Sequence, residues 1–141
     1  MAGCEEPVLA ALGDYGRAIG EAFQLRDDIL GIFGSPTATG KPNSGDLVER
    51  KATSVVVAAH QLADASTRRH MRQLMNSAWL DDAALEHWRN MIAATGAVQW
   101  IEQLIADRVE QAHSAVDRAR FDHRIAAALL GMADLCTQRA A

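Results

Sequence analysis

Two adjacent carboxylates stand in an apolar segment that is typical of a helix. Asp27 and Asp28 lie in the run FQLRDDILGIFG, which also carries an aromatic ring at Phe23, an amide at Gln24 and no side chain at Gly31. Residues three or four apart share one face of a helix, whereas neighbours differ by about 100°. Phe23, Gln24, Asp27 and Gly31 therefore line one strip, with Asp28 at its edge. Such a strip is unusual for a protein core and suits the wall of a polar cleft.

The glycine- and proline-broken loop after this helix is followed by two lysines. Such a loop can bring Lys41 and Lys51 back over the helix end, with Asp46 between them in sequence. Magnesium in proteins is bound by one or two carboxylates together with substrate phosphates and waters, and lysine acts as a point charge on phosphate oxygens. These residue types predict a site for a magnesium-bridged diphosphate. The alternative, an ordinary helix end followed by solvated lysines, is left open by these physical features alone.

The segments that position these residues are helical. Aromatic residues are few, alanine is abundant, and apolar residues recur at helical spacing. Asp81 and Asp122 are expected to cap the helices that follow them, and Gly96 is expected to mark a kink or a stop. The expected helices cover residues 6–32, 48–64, 67–77, 82–95, 98–116 and the segment from 123 onward. The prediction is an all-helical bundle that forms a single domain, residues 1–141.

The spacing of apolar residues also predicts which faces are buried. The stripe expected for the first helix consists of Leu12, Tyr15, Ile19, Phe23 and Ile29. The stripe expected for the last helix consists of Ile125, Leu129, Met132 and Cys136. Close backbone packing is predicted at Gly13, Gly16 and Gly20, because each glycine lowers helix propensity by about 1 kcal/mol relative to alanine. A solvated face is expected for the basic cluster Arg68, Arg69, His70 and Arg72.

Composition excludes several classes of protein. The 141 residues carry a formal net charge of −4, with a sequence pI near 5.7, which argues against a nucleic-acid partner. No apolar run approaches the roughly 18 residues of a membrane span. The first residues lack the basic region of a signal peptide, and Cys4 and Cys136 lack the spacing of a thiolate metal site. The five histidines show no zinc-binding pattern. A cytoplasmic protein without a membrane span is predicted.

The ordered motifs carry a family resemblance. FQLRDDILGIFG, TGKP and GDLVERKAT resemble, in that order, the second aspartate-rich region of the trans-isoprenyl diphosphate synthases, the polyprenyl synthetase family. The segment TGAVQWIEQLIADRVEQAHSAVDRA resembles the last helices of that family. Its members condense allylic diphosphates with isopentenyl diphosphate, using Mg²⁺ held between two aspartate-rich motifs. The resemblance implies the C-terminal half of the all-helical isoprenoid synthase fold.

The resemblance also implies roles for individual residues. Asp27 would ligate magnesium, supported by Asp28 and Asp46 through side chain or water. The residues that would contact the allylic diphosphate or its neighbourhood are Gln24, Lys41 and Lys51, and Phe23 would line the cleft near the reacting carbons. The ligands expected are Mg²⁺ and an isoprenyl diphosphate or pyrophosphate.

Departures from the family pattern are equally informative. Gly31 stands where the fullest motif has aspartate, and Arg50 replaces a glycine. Family members are about twice as long, and the first DDxxD motif is missing from this sequence. A truncated chain that is active only with a complementary chain is therefore expected, as a homo- or hetero-oligomer with a synthase chain. A non-catalytic partner of a full-length synthase and a non-functional truncated product stay open as alternatives.

Overall fold

The computed structural model describes the backbone of residues 2–35 and 45–138 and the side chains of residues 6–35, 45–136 and 138. Every regular element in these ranges is a helix, which confirms the predicted fold class. The helices are α1 (Ala2–Phe33), α2 (Gly45–Val48), α3 (Ser54–Leu62), α4 (Ala65–Met75), α5 (Asp82–Ala94), α6 (Ala97–Ala119) and α7 (His123–Gln138). None of these helices is long and apolar enough to cross a membrane.

The chain divides into two compact units. The first unit contains Met1–Arg26 and Gln103–Arg139, and the main segment of the second is Asp27–Glu102. Helices α1 and α6 each contribute residues to both units. The predicted single domain stays a prediction.

Short polar side chains fix the helix starts of the second unit. Thr53, Asp64 and Asp81 each accept a hydrogen bond from the backbone N–H three residues later, at the starts of α3, α4 and α5. The predicted cap at Asp81 is confirmed, and α5 ends before Gly96, whose φ of 83° ordinary side chains rarely adopt. The predicted start at residue 48 is wrong, because a turn precedes the cap at Thr53 and α3 begins only at Ser54.

Helices α3 and α4 both pack against α5 to form the core of the second unit. Its fully buried side chains include Leu47, Val55, Val56, Met71, Trp88 and Ile92. Arg68 closes the end of α3, because its Nε donates to the carbonyl of His60 and its Nη2 to the carbonyl of Ala63, both at 2.8 Å. The solvated face predicted for the basic cluster is therefore wrong at Arg68, since the last carbonyls of a helix attract a guanidinium group.

In the first unit, α1 presents small side chains to its neighbours. The buried hydrophobic residues of α1 here are Ala11, Tyr15, Ala18 and Ala22. Tyr15 donates its hydroxyl to the carbonyl of Leu129 in α7 at 2.8 Å. The predicted stripe is wrong at Leu12 and Phe23, which are exposed, although Ile29 in the second unit is buried as expected. Tyr15 is buried by the chain itself, as the predicted stripe requires.

Gly13, Gly16 and Gly20 lie at exposed positions of α1. A Cβ atom added at Gly16 or Gly20 would meet nothing within 4 Å, and one added at Gly13 would meet only Arg17. The predicted close backbone packing at these glycines is therefore wrong among the described residues. The close-packed side of α1 is formed by its alanines instead.

The last helix is rotated relative to its predicted face. Ala133 and Cys136 are buried, whereas Ile125 and Met132 are exposed. Two polar contacts fix this rotation: Leu129 accepts from Tyr15, and Asp134 lies 2.9 Å from Nε2 of His113 in α6. Apolar periodicity alone does not contain these contacts, and it predicts burial correctly at Cys136 but wrongly at Ile125 and Met132.

Candidate functional site

The final turns of α1 carry the predicted aspartates. Asp27 and Asp28 are half-buried and belong to the second unit, whereas Phe23 and Gln24 belong to the first unit and are exposed. Phe23 exposes 45% of its surface. Helical spacing places Asp27 one turn beyond Phe23 and one turn before Gly31 on the same side of α1.

Asp28 is held at the start of α3. Its Oδ2 accepts a hydrogen bond from the backbone N–H of Ser54, with an N···O distance of 3.0 Å, and another from Ser54 Oγ at 2.7 Å. The first N–H groups of a helix have no partner within the helix, and a carboxylate there also interacts favourably with the helix dipole. Asp28 therefore joins α1 to α3, and one of its two oxygens is engaged in that contact.

Asp46 places its carboxylate in the space where Gly31 has no side chain. A Cβ atom built on Gly31 would lie 2.0 Å from Oδ2 of Asp46 and 2.5 Å from its Cγ, far closer than real contacts allow. Any other residue at position 31 would displace this carboxylate. Because Gly31 follows Asp27 by one helical turn, Asp46 approaches the side of α1 that bears Asp27.

Lys51 follows Asp46 in a tight turn. Its backbone N–H donates to the carbonyl of Asp46 at 2.9 Å. Its Nζ lies 2.8 Å from Oε2 of Glu49 and 3.6 Å from Oδ1 of Asp46. The hydrogen bond and charge of Glu49, followed by the charge of Asp46, raise the pKa of Lys51 above its ordinary value. A fully charged ammonium group therefore stands beside the Asp46 carboxylate.

Arg50 shapes this turn with a backbone conformation that favours glycine. Its φ is 54°, in the left-handed region. Its guanidinium donates from Nη2 to the carbonyl of Ser77 at 2.6 Å and from Nη1 to the carbonyl of Val48 at 3.1 Å. This conformation is strained for a residue with a side chain, and two hydrogen bonds hold Arg50 in place.

The structure brings some of the predicted residues together and separates others. Asp46 and Lys51 meet beside Gly31, one turn along α1 from Asp27, whereas one oxygen of Asp28 is bound at the start of α3. Lys41 lies outside the described residues. Across residues 6–35, 45–136 and 138, no three His, Cys, Asp or Glu side chains come close enough to hold a metal ion.

The chemistry of the donors suits magnesium when it arrives with a phosphate. Asp27 and Asp46 supply oxygen atoms only, and Mg²⁺ characteristically takes one or two carboxylates and completes its shell with substrate phosphates and waters. The space above Gly31, which a Cβ would fill, admits the second carboxylate. Lys51 adds the positive charge that a diphosphate needs. The residues present therefore fit a magnesium–diphosphate complex.

Sequence reasoning missed two contacts of this region. Ser54, which holds Asp28, had a local signal, because serine is favoured at the first positions of a helix. The contact between Asp46 and Gly31 had none, because the loop separates the two residues in sequence. Glycine at position 31 was identified as a missing carboxylate, whereas the structure gives it a spatial role.

Comparison with known proteins gives consistent matches. Residues 1–92 match the family model described as polyprenyl synthetase. The chain is 35% identical to (2E,6E)-farnesyl diphosphate synthase of Mycobacterium tuberculosis over 144 residues, which cover 100% of the chain and 40% of that protein. It is 49% identical to the geranylgeranyl diphosphate synthase of the same species over 59 residues, 42% of the chain and 17% of that protein. The chain thus spans about 40% of the length of the farnesyl diphosphate synthase that it matches along its whole length.

Solved structures agree with these matches. A geranylgeranyl pyrophosphate synthase from Corynebacterium glutamicum, complexed with isoprenyl diphosphate and magnesium, superposes with a TM-score of 0.85 at 34% identity. That match covers 93% of the chain and 37% of the synthase. A decaprenyl diphosphate synthase from Rhodobacter capsulatus gives a TM-score of 0.77 at 30% identity, covering 96% of the chain and 40% of that protein.

Proposed function

Because the chain belongs to the polyprenyl synthetase family, we propose that it supplies the diphosphate-binding part of a prenyl diphosphate synthase. In that reaction the C–O bond of an allylic diphosphate breaks, the allylic carbon bonds to isopentenyl diphosphate, and a proton leaves to restore a double bond. The observation that carries the proposal is the Asp46 carboxylate seated on Gly31 with Lys51 Nζ 3.6 Å away. Gly31 lies on α1, one helical turn after Asp27.

Asp27 and Asp46 are the residues that would hold magnesium. Magnesium bound there would stabilise the negative charge that develops on the diphosphate as the C–O bond breaks. Asp28 supports them through its contact with Ser54, which fixes the end of α1 against α3. Because Oδ2 of Asp28 is bound to Ser54, we propose that Asp28 positions α1 and does not bind the metal through both of its oxygens.

The remaining residues of the motif would bind the organic substrate. Lys51 is a charged donor for the diphosphate oxygens, and Lys41 and Gln24 are proposed to contact the same group. Phe23 would lie beside the reacting carbons, since its ring is exposed on α1 one turn before Asp27. A lysine for the diphosphate and an aromatic ring for the hydrocarbon suit an allylic diphosphate, which has one charged end and one apolar end.

The chain spans only part of the synthase fold, and we expect this to limit the activity of the isolated chain. It corresponds to about 40% of the length of the farnesyl diphosphate synthase to which it is similar. We propose that the first aspartate-rich motif and the isopentenyl diphosphate pocket come from the remainder of the fold, supplied by a complementary synthase chain. The exposed face of α1 supports this proposal, because an apolar helix face favours a partner. A cytoplasmic location stays a prediction.

Binding of pyrophosphate in the presence of Mg²⁺ tests the proposal. The 141-residue chain should bind with a dissociation constant no tighter than about 1 mM, because only part of the metal cage is present. Titration followed by ³¹P NMR should show line broadening that requires Mg²⁺ and disappears in Asp27→Ala. Glu110→Gln, which removes one exposed charge from α6, is the control and should bind like the wild type. Equal binding by wild type and Asp27→Ala would refute the proposed site.

A further inference from the structure

We propose that His70 on α4 and His87 on α5 together form a binding site for a transition-metal ion such as Zn²⁺, Ni²⁺ or Cu²⁺. The centres of their imidazole rings lie 4.9 Å apart. The two residues belong to different helices, so no local sequence motif joins them, and the sequence pattern alone predicted no zinc site. The site uses none of the residues that are proposed to hold magnesium.

The packing of the two helices sets the separation of these rings. Helix α4 packs against α5, and each histidine is followed by a fully buried residue, Met71 on α4 and Trp88 on α5. A buried neighbour fixes the rotation of its helix, and both helices also have capped first turns. His70 and His87 themselves are exposed, so an ion from solution can reach them.

The separation of the rings matches that of two imidazoles on one metal ion. A zinc–nitrogen bond is about 2.0–2.1 Å long, and with about 1.1 Å from the nitrogen to its ring centre, each centre stands about 3.2 Å from the metal. Two such centres lie about 4.5 Å apart when the bonds meet at a right angle and about 5.2 Å apart at the tetrahedral angle. The observed 4.9 Å lies between these values. Neither helix would have to move for both rings to reach one ion.

The inclination of the rings also suits a shared ion. Their planes are inclined at 54° to each other, so the rings are not stacked face to face. The lone pair of an imidazole nitrogen lies in the plane of its ring, and parallel stacked rings direct these lone pairs along parallel lines. Inclined planes allow the two lone pairs to converge on one point.

The chemistry of the donors selects the class of ion. Imidazole nitrogen suits Zn²⁺, Cu²⁺ and Ni²⁺, whereas Mg²⁺ prefers oxygen ligands. The positions one turn away from each histidine carry no positive charge that would repel an ion: Ser66, Thr67, Gln73 and Leu74 on α4, and Ala83, Ala84, Asn90 and Met91 on α5. In the part of the chain that the structure describes, no third His, Cys, Asp or Glu completes the set, so the remaining coordination positions are open to water.

A Zn²⁺ titration followed by imidazole NMR signals tests the inference, with the five histidines of the chain reporting separately. The signals of His70 and His87 should shift together and saturate with a single zinc ion per chain. Two donors held side by side make the second bond intramolecular, so His70→Gln and His87→Gln should each bind zinc about 100-fold more weakly. His123→Gln, which removes an exposed histidine from α7, is the control and should bind like the wild type. Mg²⁺ should shift neither His70 nor His87.

The thermal midpoint gives an independent readout. Zn²⁺ should raise it in the wild type and in His123→Gln, because the ion binds the folded chain better than the unfolded one, and the rise should be lost in His70→Gln and His87→Gln. A shift of His70 that keeps its affinity in His87→Gln would mean adventitious binding by single histidines and would overturn the proposal. If a variant fails to fold, the wild-type titration decides, since a shift of one ring without the other overturns it equally.

Discussion

At the scale of single residues, Asp27 and Asp28 have different surroundings although they are neighbours. Successive residues of a helix point in directions about 100° apart. Asp28 reaches Ser54 at the start of α3, whereas Asp27 lies on the side of α1 approached by Asp46. One aspartate of the pair therefore holds two helices together, and the other lies on the side of α1 where the proposed metal would bind.

The Asp28–Ser54 contact predicts a measurable coupling. Ser54→Ala should lower the free energy of unfolding by about 1 kcal/mol, and Asp28→Ala by about 1–3 kcal/mol, because it leaves a half-buried N–H group without its charged acceptor. The double variant should lose less than the sum of the two, since both changes remove one interaction. Denaturant unfolding measures all three variants. Ser114→Ala on α6 is the control, and strict additivity of the two losses would show that the hydrogen bond from Ser54 Oγ to Asp28 contributes nothing.

Arg50 offers a second prediction at this scale, because strain and hydrogen bonds oppose each other in one residue. Arg50→Ala keeps the left-handed backbone and loses the bonds to Ser77 and Val48. Arg50→Gly loses the same bonds and relieves a strain of roughly 1–2 kcal/mol. The glycine variant should therefore be more stable than the alanine variant by about that amount. Equal midpoints for the two variants in denaturant would contradict the left-handed conformation.

At the scale of elements, α1 has an exposed side that carries apolar side chains and glycines. Leu9, Leu12 and Phe23 expose 65%, 39% and 45% of their surface, and Gly16 and Gly20 lie between them. Glycines allow another helix to approach closely, and exposed apolar side chains favour burial. This side of α1, defined by these five residues, is the surface on which we expect a synthase chain to dock.

A single substitution separates folding from docking on this surface. Gly16→Ala should stabilise the chain by up to about 1 kcal/mol through helix propensity, since its Cβ meets nothing within 4 Å. The same methyl group should weaken self-association or partner binding, because it stands where another helix would approach. Gly131→Ala on α7, which is equally open, should bring the same stability without that loss. Light scattering at micromolar concentration gives the comparison, and equal scattering by the two variants would exclude this surface as the interface.

Local sequence signals predicted where helices begin and end better than they predicted which face of a helix is buried. Asp81 and Gly96 each bring their own capping chemistry, so the bounds of α5 were predicted correctly. The buried face of α7 was not, because a contact from Tyr15 to Leu129 sets its rotation. The same holds for the candidate site. The helical period predicts which side of α1 carries Asp27. It does not predict the contact between Asp46 and Gly31, which depends on packing between segments that a loop separates.

At the scale of the whole molecule, the chain spans about 40% of the farnesyl diphosphate synthase to which it is similar. Supplied with geranyl diphosphate, isopentenyl diphosphate and Mg²⁺, the isolated chain is expected to show no turnover. Loss of even one group that stabilises developing charge can cost roughly 3 kcal/mol, and here a whole motif would have to come from elsewhere. A product assay beside a full-length synthase tests this expectation. Repeated turnover that vanishes in Asp27→Ala would contradict it.

The division into two units also assigns separate reporters to each of them. All three tryptophans, Trp79, Trp88 and Trp100, belong to Asp27–Glu102, and both cysteines belong to the other unit. Tryptophan emission therefore follows the second unit, and labelling of the buried Cys136 thiol, in a Cys4→Ser background, follows the first. If the chain unfolds as the single domain that its sequence predicts, the two signals should change at one denaturant concentration. Two separate midpoints would mean that each unit melts by itself, with fluorescence and thiol chemistry distinguishing which one melts first.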